Sequence, residues 1–89
     1  MDAYDTLVFF LTDCIRHVEG VELEIDTITS NEFECKINAD SFENKCQCLE
    51  GILPFVDPFI KIKEEYEYSL IELDSNKDTY EATMRFVVK

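Results

Sequence analysis

Apolar side chains at Tyr4, Leu7, Val8, Leu11, Cys14, Ile15 and Val18 recur three and four residues apart, the spacing that gathers them on one side of a helix over residues 3–18. Gly20 follows where a left-handed residue closes a helix, and the period then drops to two. Val21, Leu23 and Ile25 alternate with Glu22, Glu24 and Asp26, which predicts a strand with one buried face. Phe33, Cys35, Ile37 and Ala39 alternate in the same way with Glu32, Glu34, Lys36 and Asn38. The short polar Thr29-Ser30-Asn31 between these two strands makes them a hairpin.

Asp40-Ser41 opens a second helix, with Glu43 three residues after Asp40 as a capping box, and Pro54 predicts its end near Leu53. On its wheel Phe42, Cys46, Leu49 and Leu53 fall together, a narrower stripe than that of the first helix. Ile60, Ile62, Tyr66, Tyr68 and Leu70 then share one parity, with Lys61, Lys63, Glu65 and Glu67 on the other. Glu64 breaks that parity and predicts an edge position, a bulge or a strand break. Asp74 to Asp78 is a turn, and Tyr80, Ala82, Met84, Phe86 and Val88 form a last strand.

The order is αββαββ in a single domain over residues 1–89. It predicts an α+β fold, a four-stranded, mainly antiparallel sheet with two helices on one face and the other face open. The open side then displays Glu22, Glu24, Asp26, Glu34, Glu65, Glu67 and Glu81, relieved by Lys36, Lys61, Lys63 and Arg85.

Composition agrees with one core. The chain has 89 residues, of which 46% are apolar, and its seven Phe and four Tyr argue against disorder. Charge changes the picture more. The net charge is −12, and residues 1–44 carry −9 of it while residues 45–89 carry −3. Such a field repels nucleic-acid backbones and anionic membranes and draws in basic partners, so direct nucleic-acid or membrane binding is not expected.

The start Met1-Asp2-Ala3-Tyr4-Asp5 is acidic where a secretory signal is basic, and the apolar run Leu7 to Leu11 is too short to cross a bilayer. A cytoplasmic protein is expected, in the host cytoplasm if the chain is viral. Its four cysteines, at 14, 35, 46 and 48, are then free thiols.

Candidate chemistry thins out on inspection. Cys14 and His17 stand near one another on the first helix, but Cys14 lies on the apolar face among acids, where a reactive thiolate is disfavoured. Cys46 and Cys48 point roughly 160° apart on a helix, so they cannot share one ion, and only Cys46 belongs to the expected stripe. Asp74, Asn76 and Asp78 imitate the opening of a calcium loop. Thr79 then stands where its glycine belongs and Arg85 where its bidentate glutamate belongs, which leaves at most weak cation binding. No phosphate loop or Ser-His-Asp pattern is present. No enzyme, no metal and no cofactor are expected.

Phe9 remains. It lies nearly opposite the apolar stripe of the first helix amid Asp2, Asp5, Thr12, Asp13 and Arg16, the make-up of an interface anchor in a charged field. Asp2, Asp5, Phe9, Asp13, Glu22, Glu24, Asp26 and Glu34 are therefore the candidate partner-binding residues. In size, charge and α+β content the chain is similar to the small acidic proteins that phages use against host defence, anti-CRISPR proteins among them, and to bacterial immunity proteins that plug toxin nucleases. The resemblance implies an inhibitor or decoy whose carboxylates occupy a basic, nucleic-acid-binding surface such as that of a nuclease. The alternative is a self-associating domain, a homodimer joined through the open sheet face or the final strand, whose acidity serves solubility.

Overall fold

The computed structural model describes residues 2–56, 59–62, 66–76 and 78–88, with 59–62 and 66 described through their backbone. The first helix, α1 (Ala3–Ile15), starts at Asp2, whose carboxylate accepts the Asp5 N–H at 2.8 Å and satisfies one of the donors a helix start leaves open. It buries Thr6, Leu7, Leu11 and Ile15. It ends three residues before the expected boundary, and a turn from Ile15 carries Val18 into the core. Gly20 has φ +71°, the left-handed conformation expected at that position.

Strands β1 (Val21–Thr29) and β2 (Glu32–Ala39) form the predicted hairpin, in register Val21↔Ala39 to Thr27↔Phe33. Phe33, Cys35, Ile37 and Ala39 are all buried. The second helix, α2 (Phe42–Val56), leads to β3 (Phe59–Ile62), β4 (Tyr66–Asp74) and β5 (Glu81–Val88). The sheet is antiparallel throughout, in the order β1-β2-β5-β4-β3. The α+β architecture and the four expected strands are all there. The short β3 adds a fifth: where the sequence reads as one strand from residue 60 to 70, Phe59–Ile62 pairs antiparallel with β4, Ile62 opposite Tyr66. The expected irregularity at Glu64 lies outside the described residues.

A bulge in β4 accounts for a second change of phase. Leu70 pairs with Phe86 and Glu72 with Arg85, so Ile71 is the extra residue. Before it the core side carries Tyr68 and Leu70. After it the core side carries Leu73, opposite buried Met84, while Glu72 turns outward.

The second helix departs from its predicted face. Its N-cap is Ser41, whose Oγ accepts the Asn44 N–H at 3.1 Å. Asn44 thus holds the place a capping-box acid would need, and Glu43 sits one position earlier. The buried residues are Lys45, Cys48, Ile52 and Val56, whereas Phe42 is exposed and Cys46, Leu49 and Leu53 are half-buried. The buried stripe is rotated by roughly a quarter of a turn from the expected one. Cys48, not Cys46, is the core cysteine. Pro54 lies inside the helix, which runs on to Val56. Its missing N–H is confined to the last turn, and fully burying Ile52 and Val56, worth about 1.5–3 kcal/mol each, outweighs the lost bond.

Gly51 is where the helices touch: a Cβ there would stand 2.9 Å from the Cys14 carbonyl oxygen, so α2 passes directly against the α1 backbone. The Asn44 side chain donates to the Glu19 carbonyl at 2.9 Å and fixes the other end of that contact. Both helices therefore cover one face of the sheet, and the opposite face meets solvent.

Candidate functional site

The register assembles the solvent face in rows, because cross-strand partners share a face. One row runs Asp26, Glu34, Arg85, Glu72, the next Glu24, Lys36, Thr83, Asp74, and a third Glu22, Asn38, Glu81. Of the cations among the described residues only Lys36 and Arg85 stand in these rows, and both pair with Glu34. Arg85 approaches Glu34 at 3.4 Å and Glu72 at 3.6 Å, and Lys36 approaches Glu34 at 3.6 Å. Glu34 is the most enclosed of these carboxylates, with 19% of its side chain exposed, and it is neutralised from both sides.

The outer row is different. β1 is a terminal strand of the sheet, and Glu22, Glu24 and Asp26 stand at successive outward positions, about 6.8 Å apart at the rise of an antiparallel strand. None of the three forms an ion pair among the described residues. Glu24 stands opposite Lys36, whose ammonium pairs with Glu34 instead, while Glu22 faces Asn38 and Asp26 faces Glu34, and the three charges lie closer together than the roughly 8 Å screening length at physiological salt.

The remaining candidates lie elsewhere. Phe9, 61% exposed, and Asp5 and Asp13, also exposed, project from α1 on the helical side of the molecule, away from the strand acids. Asp2 is engaged as the α1 cap and Asp13 pairs with Arg16 at 3.5 Å. The eight candidate residues thus divide between two opposite sides of the molecule. The strand acids form one surface, and Phe9 does not join it.

A shallow hollow of about 290 Å³ opens on the solvent face between Glu24, Lys36, Asn38, Glu81 and Thr83. Its lining is mainly polar and charged, with Ile37 and Ala82 as the apolar exceptions, unlike the mostly apolar walls of a small-molecule site. Asn76, Asp78 and Thr79 are committed to local structure. Asn76 Oδ1 accepts the Asp78 N–H at 2.9 Å, and the Asn76 and Thr79 carbonyls accept from the Lys45 ammonium. That buried cation beside the loop works against a second one. Among the described residues no cluster of His, Cys, Asp and Glu has the geometry to hold a metal ion.

Cys14, Cys35 and Cys48 are shielded rather than activated. Burial pushes Cys35 up to about 12, burial raises Cys48, and burial with the neighbouring Asp13 raises Cys14. A nucleophilic cysteine requires the opposite shift.

Two features went unread in the sequence. Tyr4, counted with the apolar stripe, is 37% exposed; its ring lies 6.1 Å from that of Phe33, and its hydroxyl donates to the Ile25 carbonyl at 3.0 Å. The terminal position of β1 is the other, since alternation reveals a strand's faces and not its neighbours. The final strand, expected to offer itself to a second copy, lies inside the sheet between β2 and β4 with both edges paired.

No helix among the described residues is long and apolar enough to cross a membrane. Comparison with protein-family models, with curated proteins and with solved structures yields no match.

Proposed function

We propose that this chain is a small acidic binding protein that occupies a basic, nucleic-acid-binding surface of another protein as an inhibitor or decoy, without catalysing a reaction. The unpaired row Glu22, Glu24 and Asp26 on the open side of a terminal strand carries the reading. Lys and Arg clefts that hold phosphates pair equally with carboxylates, and a row of three held on a strand loses little freedom when it docks. Raised thiol pKa values support a non-catalytic role. The reading belongs to the cytoplasm, a host's if the chain is viral, where nucleic-acid enzymes present such surfaces.

Co-precipitation from lysate at low and high salt, with and without added duplex DNA, tests it. The expected result is a basic nucleic-acid-binding protein that is retained at low salt and released by either treatment. Partners that persist through high salt and are indifferent to DNA would contradict the decoy role.

A further inference from the structure

We infer that the open edge of β1 from Val21 to Glu24 accepts an extended segment of the partner in which basic and apolar residues alternate, adding a strand to the sheet. This rests on the reading that the partner is basic, and adds how it is held.

The ladder determines which backbone groups are available. The Asp40 N–H donates to the Gly20 carbonyl at 2.8 Å, making the pair just before Val21↔Ala39 a hydrogen-bonded one. Bonded and non-bonded pairs alternate along an antiparallel ladder. Glu22, Glu24 and Asp26 therefore exchange bonds with β2, while Val21, Leu23, Ile25 and Thr27 turn their N–H and C=O groups to the open edge. Two contacts agree with this assignment. Ala39, the partner of Val21, donates away from β1 to the Tyr80 carbonyl at 3.0 Å, and the Ile25 carbonyl is reached by the Tyr4 hydroxyl. Tyr4 thus closes the edge at Ile25, and the register shift between Thr27 and Thr29 disturbs it beyond. The N–H and C=O groups of Val21 and Leu23 stay open to an added strand.

Side chains on this stretch select the occupant. Glu22 and Glu24, neither of them in an ion pair among the described residues, flank it on the solvent side, and Val21 and Leu23, packed on the core yet only half-buried, flank it on the helical side. An added strand places alternate residues beside each row, so its solvent-side positions call for Lys or Arg and its helix-side positions for apolar residues. A second copy fits badly. Every antiparallel register of β1 with another β1 that keeps Val21 and Leu23 on the helical side sets acid against acid, which is destabilising.

The probe is a blocked peptide of four Lys-Val repeats, titrated at low salt into nitrogen-15-labelled protein and followed by amide hydrogen exchange. Expected are slowed exchange at the Val21 and Leu23 amides and at least tenfold weaker binding in two controls. One has the same composition in Lys and Val blocks. The other is N-methylated at the valines, whose N–H groups face Val21 and Leu23. The double variant E22K/E24K loses the Lys-Val peptide while its circular dichroism stays that of the parent. If both controls bind as tightly as the Lys-Val peptide and the two amides exchange unchanged, contact is by charge alone. Strand addition is then overturned and the decoy reading stands. Failure of the Lys-Val peptide to bind also overturns strand addition, whereas the decoy reading falls only with the salt and DNA co-precipitation.

Discussion

The Lys45 ammonium donates to the Thr79 carbonyl at 2.8 Å and so ties α2 to the connection between β4 and β5. It also reaches the Asn76 carbonyl and lies 4.8 Å from the centre of the Phe42 ring, while the residue is only 1% exposed. Two carbonyls and an aromatic face replace the water that burial removed. Lys45→Met keeps the stem and deletes the donor. A loss of about 2 kcal/mol in urea unfolding is expected, since hydrogen bonds from a charged group are worth about 1.5–3 kcal/mol each and the exposed turn regains water. Faster amide exchange at Asp78 and Thr79, with exchange in β2 unchanged, would locate the effect. An unfolding midpoint equal to the parent's would show that the ammonium contributes no net stability.

Gly51→Ala separates helix propensity from packing. In an exposed helix this change gains roughly 0.5–1 kcal/mol, but here the new Cβ would stand 2.9 Å from the Cys14 carbonyl oxygen, and backbone must yield. Net destabilisation of about 1–3 kcal/mol is expected, with Gln47→Ala, exposed on the same helix, close to neutral. Stabilisation by Gly51→Ala would mean that the helices are not in contact there.

Cys35 makes stability depend on alkali. Its thiol titrates near the ordinary value of 9.0 when unfolded and is pushed up to about 12 in the fold by burial. A folded value above the unfolded one means that this contribution is complete below pH 9 and is lost as pH rises toward 12, because the unfolded chain releases the proton first. Parent and Cys35→Ala should thus converge in unfolding free energy as pH rises from 8.5 to 10.5, the alanine variant lacking this slope. A constant gap between them would show that the thiol is not shielded.

Legibility followed the alternation of polar and apolar residues. In β2 every apolar position from Phe33 to Ala39 is buried, because a period of two leaves one choice of face. α2 was ambiguous since a lysine occupies its buried stripe. Lys45 reads as polar until the carbonyls of Asn76 and Thr79, more than thirty residues away, are brought to it. Pro54 reads as a stop until burial of Val56 carries the helix past it. For the site, strand parity turned Glu22, Glu24, Asp26 and Glu34 outward correctly. It could not tell that Glu34 sits centrally between two cations while the other three line an outer strand, because order across a sheet is set by non-local pairing.

That order yields the most direct test of the acidic row. Reversing Glu22, Glu24 and Asp26 to Lys shifts net charge as much as reversing Glu72, Asp74 and Asp78, so the two triple variants carry equal charge in different places, the second also giving up the exposed Glu72–Arg85 pair. If long-range attraction to the whole molecule governed encounter, both would slow association with the co-precipitated partner alike. Docking through the terminal strand instead predicts roughly tenfold slower association for the first variant and less than about threefold for the second, measured by stopped flow at low salt, with the gap closing as salt rises. Circular dichroism should match the parent for both variants, as all six residues are exposed. Equal rates would remove Glu22, Glu24 and Asp26 from the binding surface and leave their charge with a solubilising role alone.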